Sequence, residues 1–337
     1  MSKPLLQVKN LKKHFAQKSS IFSSGKKEDN VIPAVDDISF DVAANETLGL
    51  VGESGCGKTT TGKSILKLNS LQGGQVIYDG VDITQLKEKE FRPYRTQMQM
   101  IFQDLDAALN PKVQVQSVLK EAIKIHNKEL SDDQVKSRIK ELMEMVNLQQ
   151  GKLTNYPTEL SGGEKRRVGI ARALAVQPRF IVADEPTSAL DVSIQAQVVN
   201  LMLDLQKQLG LSYLFISHDL HLVEILSHKI AVMYLGRIVE MGPAQSIAKT
   251  PKHPYTQILW SSLTDGKIKE ADNSSHRDDE NWGVYDFARP TGGCRFSPRC
   301  PVYAAKGKPD ICTDASNEPH LSSADNGHVV ACHFPLG

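Results

Sequence analysis

The stretch Thr47-Leu48-Gly49-Leu50-Val51-Gly52-Glu53-Ser54-Gly55-Cys56-Gly57-Lys58-Thr59-Thr60 constrains this chain more than any other. A short apolar run ends in glycine, and Gly52, Gly57, Lys58 and Thr59 then keep the spacing of a phosphate loop. The run reads as a buried strand feeding a turn, and a helix opens after Gly57, which is the context that pattern requires. The glycines permit a tight curve whose backbone N–H groups point at phosphate oxygens. The helix N-terminus adds partial positive charge. Lys58 is placed to reach the β- and γ-phosphates, and the Thr59 hydroxyl to ligate Mg²⁺. At Cys56 the backbone N–H matters more than the thiol.

Further runs set the fold class. Leu6–Leu11 and Ile38–Val42 alternate apolar and polar side chains like half-buried strands. Residues 17–33, rich in Ser, Lys and Gly, read as an exposed loop. Residues 112–150 carry apolar positions at helical spacing, among them Val118, Ala122, Ile125, Ile139, Leu142, Met143 and Val146. Strand-like runs return at Phe180–Ala183 and Leu214–Ser217, with a helical pattern over Val192–Leu209 between them. Such alternation predicts a parallel α/β sheet, with the helical stretch as a separate lobe. Ile230–Tyr234 and Arg237–Glu240 predict a hairpin across Leu235-Gly236.

Composition excludes several classes. Of 337 residues, 40% are hydrophobic and 23% charged, as in a protein with a substantial core. The net charge of +1 gives no argument for nucleic-acid binding, and Lys165-Arg166-Arg167 reads as a solvated helix face or a nucleotide-facing turn. No run of eighteen apolar residues exists to span a bilayer, and Met1-Ser2-Lys3-Pro4 lacks an apolar signal region. The expected location is the cytosol, so a membrane role calls for separate spanning subunits.

The apolar run Ile181-Val182-Ala183 leads into Asp184-Glu185, which predicts two carboxylates at the carboxyl edge of the sheet, where α/β proteins bind ligands. His218 ends the next strand. Ser161-x-x-Glu164 is a capping-box pattern opening a helix over Lys165–Val176. Gly162 and Gly163 at that helix start let a phosphate approach the backbone, where the helix dipole favours an anion. Lys58 already serves one phosphate site, so this second cradle has no obvious use within one chain.

The order Gly52–Thr59, Gln103, Leu160-Ser161-Gly162-Gly163-Glu164, Ile181–Pro186, Ser188-Ala189-Leu190-Asp191 and His218 resembles the nucleotide-binding subunits of ATP-binding cassette (ABC) transporters. The resemblance implies an ABC-type phosphate-loop ATPase of the α/β class: a RecA-like core, an antiparallel β subdomain, a helical lobe and a small cysteine-bearing C-terminal tail. It implies ATP and Mg²⁺ as cofactors. Thr59, Gln103 and Asp184 would surround Mg²⁺, Glu185 would polarise the attacking water and His218 would touch the γ-phosphate. Phe15 would lie under adenine. The cradle Ser161–Glu164 would serve the nucleotide of a second, homologous cassette, and the Ser188–Asp191 loop would cross between the two. A heterodimer is expected, peripheral on the cytoplasmic face of the cytoplasmic membrane, with two integral permeases seated at the helical lobe.

Phe102-Gln103-x5-Leu109-Asn110-Pro111, His253-Pro254-Tyr255-Thr256 and Cys294-x-Phe296-x-Pro298-Arg299-Cys300-Pro301 are similar to the oligopeptide/dipeptide importer branch, its second ATPase subunit above all. That implies peptide uptake with an external binding protein as indirect partner. Nickel or other small-solute import remains open, as does a soluble non-transport ATPase or a non-hydrolysing regulator. The expected division is a cassette over 1–263 with its helical lobe at about 104–165, a linker over 264–290 and a cysteine-bearing domain over 291–337. Four of the five cysteines, Cys294, Cys300, Cys312 and Cys332, fall in that last segment. Clustered thiols in a reducing compartment suggest a metal site before disulfides. The resemblance favours a [4Fe–4S] cluster; zinc and unmetallated cysteines stay open.

Overall fold

The computed structural model describes residues 3–16, 31–264, 292–325 and 327–337. The expected linker over 264–290 lies almost wholly outside the described residues, as does most of the expected loop over 17–33. Twelve strands are described: β1 (Leu6–Ala16), β2 (Val31–Val42), β3 (Thr47–Val51), β4 (Gly73–Tyr78), β5 (Val81–Asp82), β6 (Met98–Ile101), β7 (Phe180–Asp184), β8 (Ser212–Ile216), β9 (Lys229–Tyr234), β10 (Arg237–Pro243), β11 (Ser322–Asp325) and β12 (His328–Val330). Val31–Pro33, expected in a loop, instead begin β2, where they pair with His14–Ala16 of β1.

Two sheets result. An antiparallel one has the order β2-β1-β4-β5, and a mixed one has the order β11-β12-β10-β9-β3-β8-β7-β6. Within the mixed sheet, β9, β3, β8, β7 and β6 are parallel neighbours. The predicted hairpin forms as β9 and β10.

The parallel strands read as unbroken apolar runs because both faces are covered. Side chains alternate between two cores, as a pleated strand requires. Phe180, Val182, Leu214, Ile216, Ala231 and Met233 meet the antiparallel sheet and the helix Lys58–Ile65. Ile181, Ala183, Tyr213, Phe215, Ile230 and Val232 face the other way, into the core shared with the helical lobe.

That lobe contains helices Val115–Lys124 and Asp132–Met145. Ser131 caps the second through a capping box with Gln134. Val118, Ile139, Leu142, Met143 and Val146 are buried as their spacing predicts, but Ile125 is 50% exposed. Beyond β10, the last described segment adds β12 to β10 and β11 to β12, so it extends the mixed sheet.

Candidate functional site

Four adjacent parallel strands, β3, β8, β7 and β6, deliver the predicted residues from their carboxyl ends. The phosphate loop follows β3, His218 follows β8, Asp184-Glu185 close β7 and Gln103 follows β6. This is the edge at which open α/β sheets bind ligands.

The loop's curvature depends on glycine. Gly52 has φ +149° and Gly57 φ +111°. A Cβ at Gly52 would stand 2.1 Å from the Met233 carbonyl oxygen, and one at Gly57 2.1 Å from that of Ala34. Gly57 also caps the helix Lys58–Ile65, whose first turn carries no acidic side chain. Lys58 is buried, and its Nζ donates to the carbonyls of Gly52 (2.7 Å) and Glu53 (3.0 Å). Cys56 is buried too, and burial pushes its thiol up, against the pull of Lys58.

The Thr59 hydroxyl donates to Asp184 Oδ1 at 2.9 Å. Burial raises the Asp184 carboxyl above the ordinary range; the Thr59 bond pulls the other way, and nearby Glu185 adds to the rise. A hydroxyl and a buried carboxylate side by side are hard oxygen donors that suit Mg²⁺, and a cation there would offset the cost of burying the charge.

Glu185 stands between two of the other predicted residues. Its Oε2 accepts from Gln103 Nε2 at 2.8 Å, and its Oε1 lies 3.3 Å from His218 Nδ1. Its backbone turns into the left-handed region at φ +45°. The Ser188 N–H and hydroxyl both donate to its carbonyl, at 3.2 and 3.0 Å, and brace that turn.

Ser161 caps the helix Gly162–Leu174 through the predicted box: its hydroxyl accepts from the Glu164 N–H at 3.3 Å, and Glu164 Oε2 accepts from the Ser161 N–H at 2.9 Å. The Ser161 N–H and Lys152, 2.9 Å away, hold the Glu164 carboxyl below the ordinary range. The two glycines have a further packing reason. A Cβ at Gly162 would lie 3.1 Å from Leu190 Cδ2, and one at Gly163 2.8 Å from Ile194 Cγ2. The Ser188–Asp191 loop and the helix Val192–Leu209 thus press against the cradle. Asp191 caps that helix by accepting from the Ile194 N–H at 2.9 Å. Phe15, at the end of β1, is 42% exposed, with Lys13 Nζ 4.8 Å from its ring centroid.

Arg166 corrects the reading of Lys165-Arg166-Arg167 as a solvated face. It is buried, and its guanidinium donates to the carbonyls of Phe102 (2.9 Å), Gln103 (3.3 Å) and Ser188 (3.4 Å). It thereby ties the capped helix to the Gln103 segment and to the loop that braces Glu185. A basic residue at a helical position gave no sign of this, because all three partners are distant in sequence.

The four C-terminal cysteines line one small cavity with His253, Phe296, Tyr303, His333 and other side chains. Burial pushes the Cys294 thiol up to about 11 and the Cys332 thiol up to about 12, and the neighbouring thiols add to both. Among the described residues, however, no group of three or more His, Cys, Asp or Glu is set to hold a metal ion. The arrangement therefore gathers the thiols without forming the ligand set expected of them.

Residues 35–188 match the family model described as ABC transporter, and residues 239–306 match the one described as oligopeptide/dipeptide transporter, C-terminal region. The oligopeptide transport ATP-binding protein OppF of Bacillus subtilis (strain 168) is 48% identical over 78% of this chain and 83% of its own length. The oligopeptide transport ATP-binding protein AppF of the same organism is 41% identical over 98% of this chain and 97% of its own. A putative peptide import ATP-binding protein of Brucella ovis is 41% identical with the same coverage. Among solved structures, the dimeric post-hydrolysis form of the ATP-binding cassette MJ0796, bound to ADP and Pi, superposes with a TM-score of 0.62. It is 25% identical and covers 71% of this chain and 98% of its own.

Proposed function

We propose a function from one premise: the chain belongs to the ABC transporter family, among its ATP-binding proteins with an oligopeptide/dipeptide transporter C-terminal region. It is an ATPase subunit that powers uptake of di- or oligopeptides. The names of its relatives support the peptide class. The observation that carries the ATPase assignment is Glu185, held between Gln103 and His218 at the carboxyl end of β7.

In that place Glu185 orients and deprotonates the attacking water. Lys58 and the loop N–H groups neutralise the phosphates, while Thr59, Gln103 and Asp184 would hold Mg²⁺, which would supply further positive charge to the phosphates. Positioning and charge neutralisation carry most of phosphoryl transfer. Phe15 offers an exposed ring to the adenine. Replacing Glu185 by Gln keeps the Gln103 contact and removes the base, so Mg²⁺-dependent turnover falls about 10²-fold or more. Wild-type turnover in Glu185→Gln would remove this residue from the reaction.

The cradle Ser161–Glu164 works on the nucleotide of a second cassette. The dimeric state of the MJ0796 structure supports a paired arrangement, and the partner is a homologous rather than an identical chain. Disabling Ser161 and Gly162 in every copy of the motif abolishes turnover in the assembled particle. Undiminished ATPase activity there would exclude a shared site.

The permease docks where the lobe meets the sheet. A cleft of about 580 Å³ opens there, lined by Leu68, Met100, Phe102, Leu109, Val118 and half-exposed Ile125 among others. No helix of the described residues is long and apolar enough to cross a membrane. The permeases are separate spanning chains in this reading, and the ATPase is peripheral to them. Copurification from membranes identifies the permeases and the external binding protein. For the four cysteines, which line one cavity without a metal-ligand set among the described residues, iron, sulfide and zinc content of anaerobically purified protein decides between cluster, zinc and free thiols.

A further inference from the structure

We propose that Arg299, carried by the cysteine-bearing segment, is a positioning residue of the phosphate loop: it acts through Glu53, whose carboxylate it neutralises beside the incoming triphosphate. Glu53 is the second residue of the loop, and three parts of it are held. Its Oε1 and Oε2 accept from Arg299 Nη2 and Nη1 at 2.8 and 2.9 Å. Its N–H donates to the Tyr255 hydroxyl at 2.9 Å. Its carbonyl accepts from Lys58 Nζ at 3.0 Å, so the lysine that meets the phosphates is anchored on the residue that Arg299 grips.

The grip is built rather than casual. Both guanidinium arms meet both carboxylate oxygens, a geometry that lysine cannot reproduce. The guanidinium carbon lies 5.8 Å from the Tyr234 ring and 5.9 Å from the Phe296 ring. Fully buried Tyr255 packs on the same two rings, with centroids 4.7 and 5.4 Å away. Phe296 and Arg299 sit between Cys294 and Cys300, so the turn Ser297–Arg299 reaches the loop from the segment that carries the thiols. The pair with Glu53, foremost, raises the Arg299 guanidinium above its ordinary value.

The need is electrostatic. A phosphate loop works by presenting N–H groups and a lysine to an anion. A bare carboxylate within it repels that anion across a few ångströms, well inside the screening length of about 10 Å at 0.1 M salt. Arg299 cancels that charge.

The inference rests on the ATP site proposed above, and the test separates the two. The full chain is titrated with trinitrophenyl-ATP in EDTA, so that hydrolysis does not intervene. Binding by the wild-type chain tests the site; the variants test this inference. Arg299→Gln keeps the length and loses the charge, and it weakens binding about fivefold or more at low salt, a deficit that shrinks as salt rises. Glu53→Gln removes the repulsion and binds no more weakly than wild type. The double variant returns to within about twofold of Glu53→Gln, since a charge pair is strongly non-additive. A purely mechanical clip would weaken binding in both single variants, and that result overturns the proposal, as does wild-type binding in Arg299→Gln. Should Arg299→Gln fail to fold, Glu53→Gln decides alone: unweakened binding supports the proposal and weakened binding overturns it.

Discussion

At Gly163 a methyl group would fall 2.8 Å from Ile194 Cγ2, closer than side chains tolerate. The sequence suggests that glycine stands there to admit a phosphate, yet the position is also a contact between two helices. Gly163→Ala therefore destabilises the chain by about 1–3 kcal/mol through overpacking, before any nucleotide is present. Thermal unfolding of the nucleotide-free chain checks this, and adding Ile194→Ala recovers most of the loss. An unchanged midpoint in Gly163→Ala would leave phosphate approach as the position's only role. Arg166 makes the same point from the other side. A charged helical residue is ordinarily solvated, and only the carbonyls of Phe102, Gln103 and Ser188, brought together by the fold, give this one a buried place.

Among elements, β12 depends on buried polar contacts for its seat beside β10. Glu240 and His328 are buried, with His328 Nε2 2.6 Å from Glu240 Oε1. Glu240 Oε2 also accepts from the His253 N–H at 2.9 Å. Beside this lies a charged cluster in which Arg295 meets Asp36, Glu318 and the Leu235 carbonyl, while Arg237 bridges Asp36, Asp37 and Glu318. Burial alone would raise the Asp36 carboxyl; Arg295 and Arg237 outweigh it and hold the group below its ordinary value of 3.8. With a lowered folded-state value, the unfolded chain takes up the proton first as pH falls. The stability this group contributes is therefore complete above about 3.8 and lost as pH drops through the folded value. Unfolding free energies at pH 5 and pH 3 test it: Asp36→Asn flattens the acid limb, and an identical limb in that variant would exclude the group.

For the molecule as a whole, the C-terminal segment is part of the sheet and part of the site's surroundings. A chain ending at residue 264 loses β12 from β10, the His328 partner of Glu240 and the Arg299 grip on Glu53. An uncovered sheet edge and an unpaired buried carboxylate are both costly. Such a truncation lowers the melting temperature by about 10 °C, taking several kcal/mol at roughly 2–4 °C for each. It also promotes self-association. Scanning calorimetry and light scattering of the truncated chain measure both, and a wild-type midpoint would show the segment to be an appendage.

What could be read in advance was whatever one short stretch of backbone settles. Gly52–Thr59 needs only its own curvature and a preceding strand. Ser161-x-x-Glu164 closes its box within one helical turn, and β9 and β10 meet across a two-residue turn. Runs buried on both faces announce themselves as apolar whatever covers them. Long-range order decided the rest. That Glu185 lies between Gln103 and His218 follows from the strand order β8-β7-β6. That Gly163 abuts Ile194, Arg166 is buried and Arg299 meets Glu53 follows from contacts between residues tens to hundreds of positions apart. Local periodicity carries no information about such pairs, because the chain must close long loops before they exist.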